Sequence, residues 1–515
     1  MISPRVSKNG LALAAVCLSS LMFGLEISSV PAILPALQHA LSGDFKDMQW
    51  VMNAYTIACT SVLMATGTLA DRFGRKRLFL INIALFGAAS MVCGWAPNMA
   101  VMIGARFLQG ATGGAMLICQ VAVLSQQFPD RAERVKAFAA WGVIFGTGLG
   151  FGPIVGGAIV AWASWPWVFL AHGPIALVTL ALGWRGARES RDPRAQQLDV
   201  AGMLALSLAV FGSAYFITQG PDLGYASQRA IGIAIASTLC LLAFVVIERR
   251  VTHPMFDFSV FRIRPFSGAL LGSVGMNISF WPLMIYLPLY FHGVLGYDDA
   301  AAGCALLAYT LPTLVVPPLA EGLAARYRPG WVIPAGLFTI GAGLFLMKWG
   351  SGVAEPGWPS MLPGCVCAGV GLGMTNTTVT NTTTGAVTSE RAGMASGIDM
   401  SARMITLAIN IALMGLILVS GVAAGLRYAA ATGGMDVPDD VSLRALAESV
   451  AGGLSATVAP ELARAALLQG FQRVWLYGGI GVWTLGAASF LVFGMKPARD
   501  RVRAQASPEA LGRCL

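Results

Sequence analysis

Charge is scarce in this sequence, and lysine is scarcest. Of 515 residues, 11% are Asp, Glu, Lys or Arg, against roughly 25% in soluble globular proteins. Six lysines stand beside 28 arginines, and none of the six follows a glycine. There is therefore no G-x-x-x-x-G-K phosphate loop, and no polar segment is long enough to form an ATPase domain. A nucleotide-driven machine is excluded, and an ion gradient is the natural energy source. Histidine is equally thin: His39, His172, His253 and His292 are scattered over different loops and apolar segments. A membrane-embedded enzyme would gather His, Cys or carboxylates into a cluster, so the scatter argues against one. A transport-dead sensor would carry a soluble output domain, and none is legible. Disulfide pairing is also missing. Cys17, Cys59, Cys93, Cys119, Cys240, Cys304, Cys365 and Cys367 lie in apolar blocks and Cys514 near the end of the chain. The Cys365-x-Cys367 pair has no second pair or nearby His, so it reads as small helix residues, and no metal site is expected.

What fills the sequence is apolar. Hydrophobic residues make up 56% of the chain, and the mean hydropathy is +0.68. They come in blocks, many of 18 or more residues with at most one charge, long enough to cross roughly 30 Å of hydrocarbon as a helix. The chain reads as an all-α polytopic membrane protein. Fourteen spans are expected near 11–37, 48–70, 78–97, 100–127, 136–162, 166–184, 199–218, 229–247, 266–292, 300–325, 331–349, 359–386, 392–422 and 473–495. The stretch LALAAVCLSSLMFGL has signal-peptide character, but the apolar run continues past it without a cleavage signal and is read as a retained first span.

Basic residues orient these spans. One set of loops, with the two termini, holds 25 of the 34 lysines and arginines, and the opposite set holds seven. The positive-inside rule places both termini in the cytoplasm. The net charge of +9 is thus explained by topology, and nucleic acid is not expected as a partner. Inside the spans sit Glu26, Arg106, Asp399 and Arg403, and an ionisable side chain in a span is costly and usually functional. LADRF (69–73) recurs as LAARY (323–327), each at a cytoplasmic helix end. This echo suggests two parallel six-span units with spans 7 and 8 inserted, a 6 + 2 + 6 arrangement. The expected units are a cytoplasmic N-terminus (1–10), a first half (11–184), a two-helix insert with linkers (185–265), a second half (266–495) and a cytoplasmic tail (496–515). Residues 423–472 would form an extracytoplasmic loop with short surface helices.

Five stretches carry a family resemblance. They are GTLADRFGRKRL (67–78), RFLQGATGGA (106–115), GTGLGFGPIVGG (146–157), LEISSVPAILP (25–35) and YLPLYFHGVLGY (286–297). With them the chain resembles the major facilitator superfamily and, within it, the fourteen-span drug/proton antiporters. Three departures stand out: the family's span-1 Asp is Glu26, a usual Asn is Pro31, and the second-half echo has Ala325 where the first has Asp71. Pro31 and Pro35 should kink or loosen span 1.

The resemblance assigns roles. Gly67, Asp71, Arg72, Gly74, Arg75 and Lys76 would form a cytoplasmic latch; the glycines suit a tight turn and Asp71 suits the positive end of a neighbouring helix. The bland alternative is that the cluster only orients the chain. Glu26, Arg106 and Asp399 are candidates for proton coupling, with Arg106 biasing a nearby carboxyl. The alternatives are a permanent Glu26–Arg106 pair and, favoured for Asp399, a structural ion pair with Arg403 four residues on. Gly146, Gly150, Gly152, Pro153, Gly156 and Gly157 match the antiporter motif and would pack helices closely. Trp50, Tyr55, Phe280, Trp281, Tyr286 and Tyr290 are candidates for a substrate cavity, aromatic faces being suited to lipophilic cations, although aromatics near span ends more often anchor at the interface.

The expected protein is a multi-pass protein of a bacterial inner or plasma membrane. It would be a monomer without cofactors, driven by the proton gradient and in contact with lipid. It would export amphipathic drugs, biocides or natural products, cationic ones included, in exchange for protons. A dedicated exporter of one self-made metabolite, or an importer, is the alternative.

Overall fold

A computed structural model describes residues 8–128, 130–191, 199–251, 258–353, 355–387, 392–431, 440–452 and 458–494. Among these residues every regular element is helical. In chain order they are α1 (Lys8–Ala32), α2 (Leu34–Ala40), α3 (Phe45–Phe73), α4 (Arg75–Gly94), α5 (Met99–Gln127), α6 (Arg131–Trp162), α7 (Pro166–Leu170), α8 (His172–Gly186), α9 (Val200–Leu223) and α10 (Gln228–Arg250). A short 3₁₀ turn, Phe258–Arg262, precedes α11 (Arg264–Gly293). Then come α12 (Asp299–Thr310), α13 (Pro312–Tyr327), α14 (Pro329–Ser351), α15 (Trp358–Gly385), α16 (Ala392–Ala431), α17 (Asp440–Ala451) and α18 (Pro460–Phe493).

Local chemistry sets these boundaries. Asp44 opens α3 with a reciprocal capping box to Asp47, and Asn98, Asp199, Ser227 and Asp298 cap α5, α9, α10 and α12 by accepting from the third residue on. Each cap satisfies one of the amides a helix start leaves open. Proline accounts for the broken spans. The expected first span divides at Ile33, with Pro35 in the first turn of α2 and Pro31 retained inside α1. Pro312 likewise follows the break between α12 and α13.

Among the described residues, twelve helices, or near-continuous helix pairs, are long and apolar enough to cross a membrane. The two expected spans outside that set correspond to α3 and α15, with 29 and 28 residues. Both are long but rich in Thr, Ser and Asn. Their hydroxyls turn back onto their own helix: Thr56, Thr60, Ser61 and Thr66 each donate to the carbonyl four residues earlier at 2.8–2.9 Å. Such back-bonding lets a polar helix sit in an apolar medium. The loop expected at 423–472 is shorter than anticipated. α16 runs to Ala431, and the stretch expected as a short surface helix from Pro460 is instead the opening of the continuous α18. Only α17 stands alone as a loop helix.

α9 packs against α10 and also touches α3 and α16. α10 is the most outward of the long helices, with Ile235, Leu239 and Leu242 all exposed, as a lipid-facing surface should be. At one end of this region Lys46 pairs with Asp222 and, at 3.3 Å, with Glu448, while Arg444 reaches Asp222 at 3.3 Å and Glu448 at 3.1 Å. This network ties α17 to the start of α3 and the end of α9. The expected tail and most of the N-terminal segment lie outside the described residues.

Candidate functional site

Glu26 and Arg106 meet in the interior. Glu26 lies in α1 and Arg106 in α5, and both are fully buried at 0% exposure. An uncompensated charge there would be prohibitively costly, so each must find an opposite partner. The Arg106 guanidinium donates to Glu26 Oε1, to Gln109 Oε1 at 2.7 Å and, through Nε, to the Val51 carbonyl at 3.2 Å. Gln109 in turn donates to Ser90 at 2.8 Å. The Tyr55 ring lies under the guanidinium, 4.3 Å from its carbon, a buried cation–π contact worth on the order of 2 kcal/mol. α3 and α5 come this close because Gly110 and Gly114 face backbone: a Cβ on Gly110 would sit 2.1 Å from the Tyr55 carbonyl oxygen. The small residues of RFLQGATGGA are what let Arg106 reach across.

Glu26 Oε2, by contrast, has no hydrogen-bond partner. The nearest cationic candidate is His172, at the start of α8, whose Nδ1 lies 3.6 Å away. His172 is buried, at 4% exposure. The sequence, which shows four separated histidines, gave no sign of this approach.

A second pair is built differently. Asp399 and Arg403 lie one turn apart on α16, with Arg403 Nη2 2.9 Å from Asp399 Oδ2. Arg403 also donates to the Asn376 side chain and to Thr380 Oγ1 at 2.8 Å, and Thr380 donates to Asp399 at 3.3 Å. The pair is thus enclosed by amide and hydroxyl groups of α15.

At the turn between α3 and α4, Gly74 adopts φ +113° and ψ +125°, a backbone only glycine takes without strain. The Asp71 side chain and the surroundings of Gly67 lie outside the described residues. Glu189 sits at the start of α4: its carboxylate accepts from the backbone amides of Lys76 and Arg77, both at 3.1 Å. A carboxylate there meets open amides and the positive end of the α4 dipole. Lys76 Nζ donates to the Trp184 carbonyl at 2.7 Å, and the Arg75 amide to the Ser190 carbonyl at 3.1 Å. Arg72 lies over the neighbouring Phe73 ring. The cluster binds α4 to the segment after α8. Its sequence signal was a lone acid among arginines, GARESR.

The glycine-rich run of α6 lies against α1 on one side and α12–α13 on the other. A Cβ on Gly152 would fall 1.8 Å from Ser28 Oγ, one on Gly156 2.9 Å from Ser29 Cβ, and ones on Gly146 and Gly150 3.1 and 2.9 Å from Leu314. Ser28 donates to the Gly148 carbonyl at 3.1 Å and Thr310 to the Gly150 carbonyl at 3.0 Å. The Pro153 carbonyl faces Gly303 of α12. The motif is a seam joining early and late helices.

The six aromatic candidates fall into separate neighbourhoods. Trp50 faces Phe211 and Tyr215 of α9, at 5.6 and 6.0 Å. Tyr55 serves Arg106. Tyr286 donates to the Ile411 carbonyl at 2.6 Å and accepts from Gln49 at 3.3 Å, joining α11 and α16 to α3. Tyr290 packs with Phe471 and Trp475, at 5.3 and 6.1 Å. Trp281 is buried, and the Phe280 side chain lies outside the described residues. Among the described residues, no group of three or more His, Cys, Asp or Glu is placed to hold a metal ion.

Known proteins share this architecture. The family model described as Major Facilitator Superfamily matches residues 16–411. The multidrug resistance protein Stp of Mycobacterium tuberculosis is 30% identical over 440 residues, 85% of this chain and 81% of its own. The puromycin resistance protein pur8 of Streptomyces alboniger is 31% identical, covering 80% of this chain and 82% of its own. The tetracenomycin C resistance and export protein of Streptomyces glaucescens is 29% identical, covering 80% and 76%. In fold, the chain is similar to a bacterial homolog of the human lysosomal transporter Spinster in an inward-facing, unoccupied conformation. The TM-score is 0.61 at 14% identity, covering 96% of this chain and 98% of that one.

Proposed function

The chain belongs to the Major Facilitator Superfamily, a family of membrane transporters and not of enzymes, and on that footing we propose that it is a proton-coupled exporter of amphipathic compounds working by alternating access. The observation that carries this reading is the Glu26–Arg106 pair. One carboxylate oxygen is held by a guanidinium that cannot lose its proton, and the other is buried without a hydrogen bond. A carboxylate so placed has a free acceptor for either a proton or a cationic substrate, and exclusive occupation of that acceptor is what couples the two. Relatives named for multidrug, puromycin and tetracenomycin C resistance support drug-like cargo. The same names also support the second reading, an exporter dedicated to one self-made natural product.

The transporter would have fourteen spans, with α3 and α15 counted among them. At ~1.5 Å per residue each is longer than the hydrocarbon core is thick. The spans would be arranged 6 + 2 + 6 with α9 and α10 as the insert, and both termini would be cytoplasmic in a bacterial inner membrane. In that orientation the Lys46 cluster and the Gln49–Tyr286–Ile411 link lie on the extracytoplasmic side and join the halves there. The Gly74–Glu189 turn lies on the cytoplasmic side as a latch. Glu26 and Arg106 would couple protons, with Asp399 held in a structural pair with Arg403.

The test uses everted vesicles from cells making the chain, energised by respiration and followed with a pH-sensitive dye. Ethidium, puromycin, neutral antibiotics and organic acids are added in turn. Proton efflux triggered by some of them, and absent with Glu26→Gln, is the expected outcome. Transport of ethidium with no proton movement would remove the coupling mechanism, and a response to one natural product alone would favour the dedicated exporter.

A further inference from the structure

His172 is a buried ionisable group with geometry of its own. It opens α8 directly after the break at Ala171. Its two ring nitrogens both face backbone carbonyl oxygens: Nδ1 is 3.1 Å from the Val168 oxygen and Nε2 3.2 Å from the Met22 oxygen. Carbonyl oxygens only accept. A neutral imidazole has one N–H and one lone pair, whereas the imidazolium has two N–H groups. Either neutral tautomer therefore aims a lone pair at an oxygen, and only the cation satisfies both contacts. Nδ1 also lies 3.6 Å from Glu26 Oε2, the unpartnered oxygen of the site. The Phe86 ring packs edge-on, 5.8 Å away.

The other ionisable groups around the ring are few. α1 brings Glu26, and α5 brings Arg106 behind that carboxylate. α3 brings Tyr55 under the guanidinium, and α4 brings the buried Cys93, which faces Gln109 at 3.6 Å. α7 has no ionisable side chain, and α8 has otherwise only Arg185 at its far end.

Charge counting then decides where a proton should reside. Glu26 as an anion, Arg106 as a cation and a neutral His172 sum to zero. One added proton brings the site to +1 whether it binds the carboxylate or the ring. On the carboxylate it dissolves the ion pair with Arg106 and leaves His172 with a mismatched lone pair. On the ring it preserves the ion pair, fills both carbonyl contacts and sets a cation beside Oε2.

We propose that His172 binds the exchangeable proton of this site, with Glu26 as the anion that holds it there. This rests on the proton-coupled reading given above and names the residue on which the proton rides. A cationic substrate drawn to Glu26 Oε2 takes the place of the imidazolium as counter-ion. The ring then gives up its Nδ1 proton to water, keeps its Nε2–H on the Met22 carbonyl and becomes neutral, so one positive charge enters as one leaves.

The experiment uses the full chain in nanodiscs with ¹⁵N-labelled histidine. In His39→Gln/His253→Gln/His292→Gln, His172 is the single remaining histidine. If that variant does not fold, the difference between wild-type and His172→Asn spectra isolates the same signals. Both nitrogens should be protonated on the acid side of a titration over about pH 5 to 9. Saturating ethidium should convert the ring to one neutral tautomer. Glu26→Gln should leave the ring with one N–H under conditions where the wild type shows two, because the anion facing Nδ1 is gone. His172→Asn should cut ethidium-induced proton release at least tenfold while ethidium fluorescence still reports binding. A ring that stays neutral across this range, one that keeps both N–H groups in Glu26→Gln, or wild-type proton release from His172→Asn would each overturn the proposal. A wild-type protein that releases no proton with any compound defeats the antiport reading instead, and the titration of His172 then still decides where the site holds its proton.

Discussion

Among the described residues, each half of the sequence buries one carboxylate–guanidinium pair, and the two are constructed on opposite principles. Glu26 and Arg106 come from different helices, α1 and α5, and meet only because those helices pack. Asp399 and Arg403 come from one helix, four residues apart, and meet wherever that helix goes. The first pair has a third ionisable neighbour, His172; the second is enclosed by Asn376 and Thr380, which cannot titrate. An interhelical pair makes protonation and packing one event. An intrahelical pair is a self-contained unit that neutralises its own charge. Two helix-end turns differ in the same way. Gly74 and Arg328 both end a helix with positive φ, +113° and +76°, and they follow the matching stretches LADRF and LAARY. The first half has glycine there and the second an arginine.

Removing the cations should separate the two pairs most strongly. Arg106→Ala leaves Glu26 fully buried without a counter-charge and should cost about 3–5 kcal/mol, read as loss of thermal stability and of folded yield. Arg403→Ala leaves Asp399 the Thr380 hydroxyl and should cost about 1–3 kcal/mol. Equal losses would mean that the two pairs do the same job. Next come the anions. Glu26→Gln should abolish substrate-driven proton release, whereas Asp399→Asn should leave it within about threefold of wild type, a shift of under 1 kcal/mol in barrier terms. Loss of release in Asp399→Asn would move coupling into the second half.

The turns should respond more weakly and with opposite sign. Gly74→Ala adds a Cβ 2.7 Å from Glu189 Oε1 at a left-handed position, for a loss of ~1–2 kcal/mol. Arg328→Gly relieves backbone strain and should gain about 1 kcal/mol; a loss instead would show that the arginine's own contacts outweigh the strain. The smallest effect is expected at the partly exposed cluster around Lys46. Glu448→Gln there should change stability by no more than ~0.5–1 kcal/mol, and less at high salt.

The particular residues show how far the sequence reached. Glu26, Arg106, Asp399 and Arg403 stood out because a charge inside an apolar run needs a reason. The break at Ile33 is legible from Pro31 and Pro35, and the α17 helix from its own composition. The reading of α18 as two pieces failed because its first two turns are Ala-rich and mildly polar, which resembles a surface helix until packing on α16 continues it. Trp50 looked like a cavity residue but faces α9, because aromatic content does not say which way a side chain points. His172 has no neighbour in sequence that marks it, and Glu189 has only the arginines beside it, which read as topology.

Hydropathy, charge placement and motif spacing are properties of consecutive residues. By themselves they determined that this chain is helical, that it lies in a membrane, which family it belongs to and which charges are anomalous. Which of those charges share a site is set by helices that touch across long stretches of chain. Only the tertiary structure could decide that the open oxygen of Glu26 looks at His172 and that the α4 amides look at Glu189. Small residues such as Gly110 and Gly152 let backbones approach to contact distance, and that approach, not any local signal, brings the interacting atoms within reach.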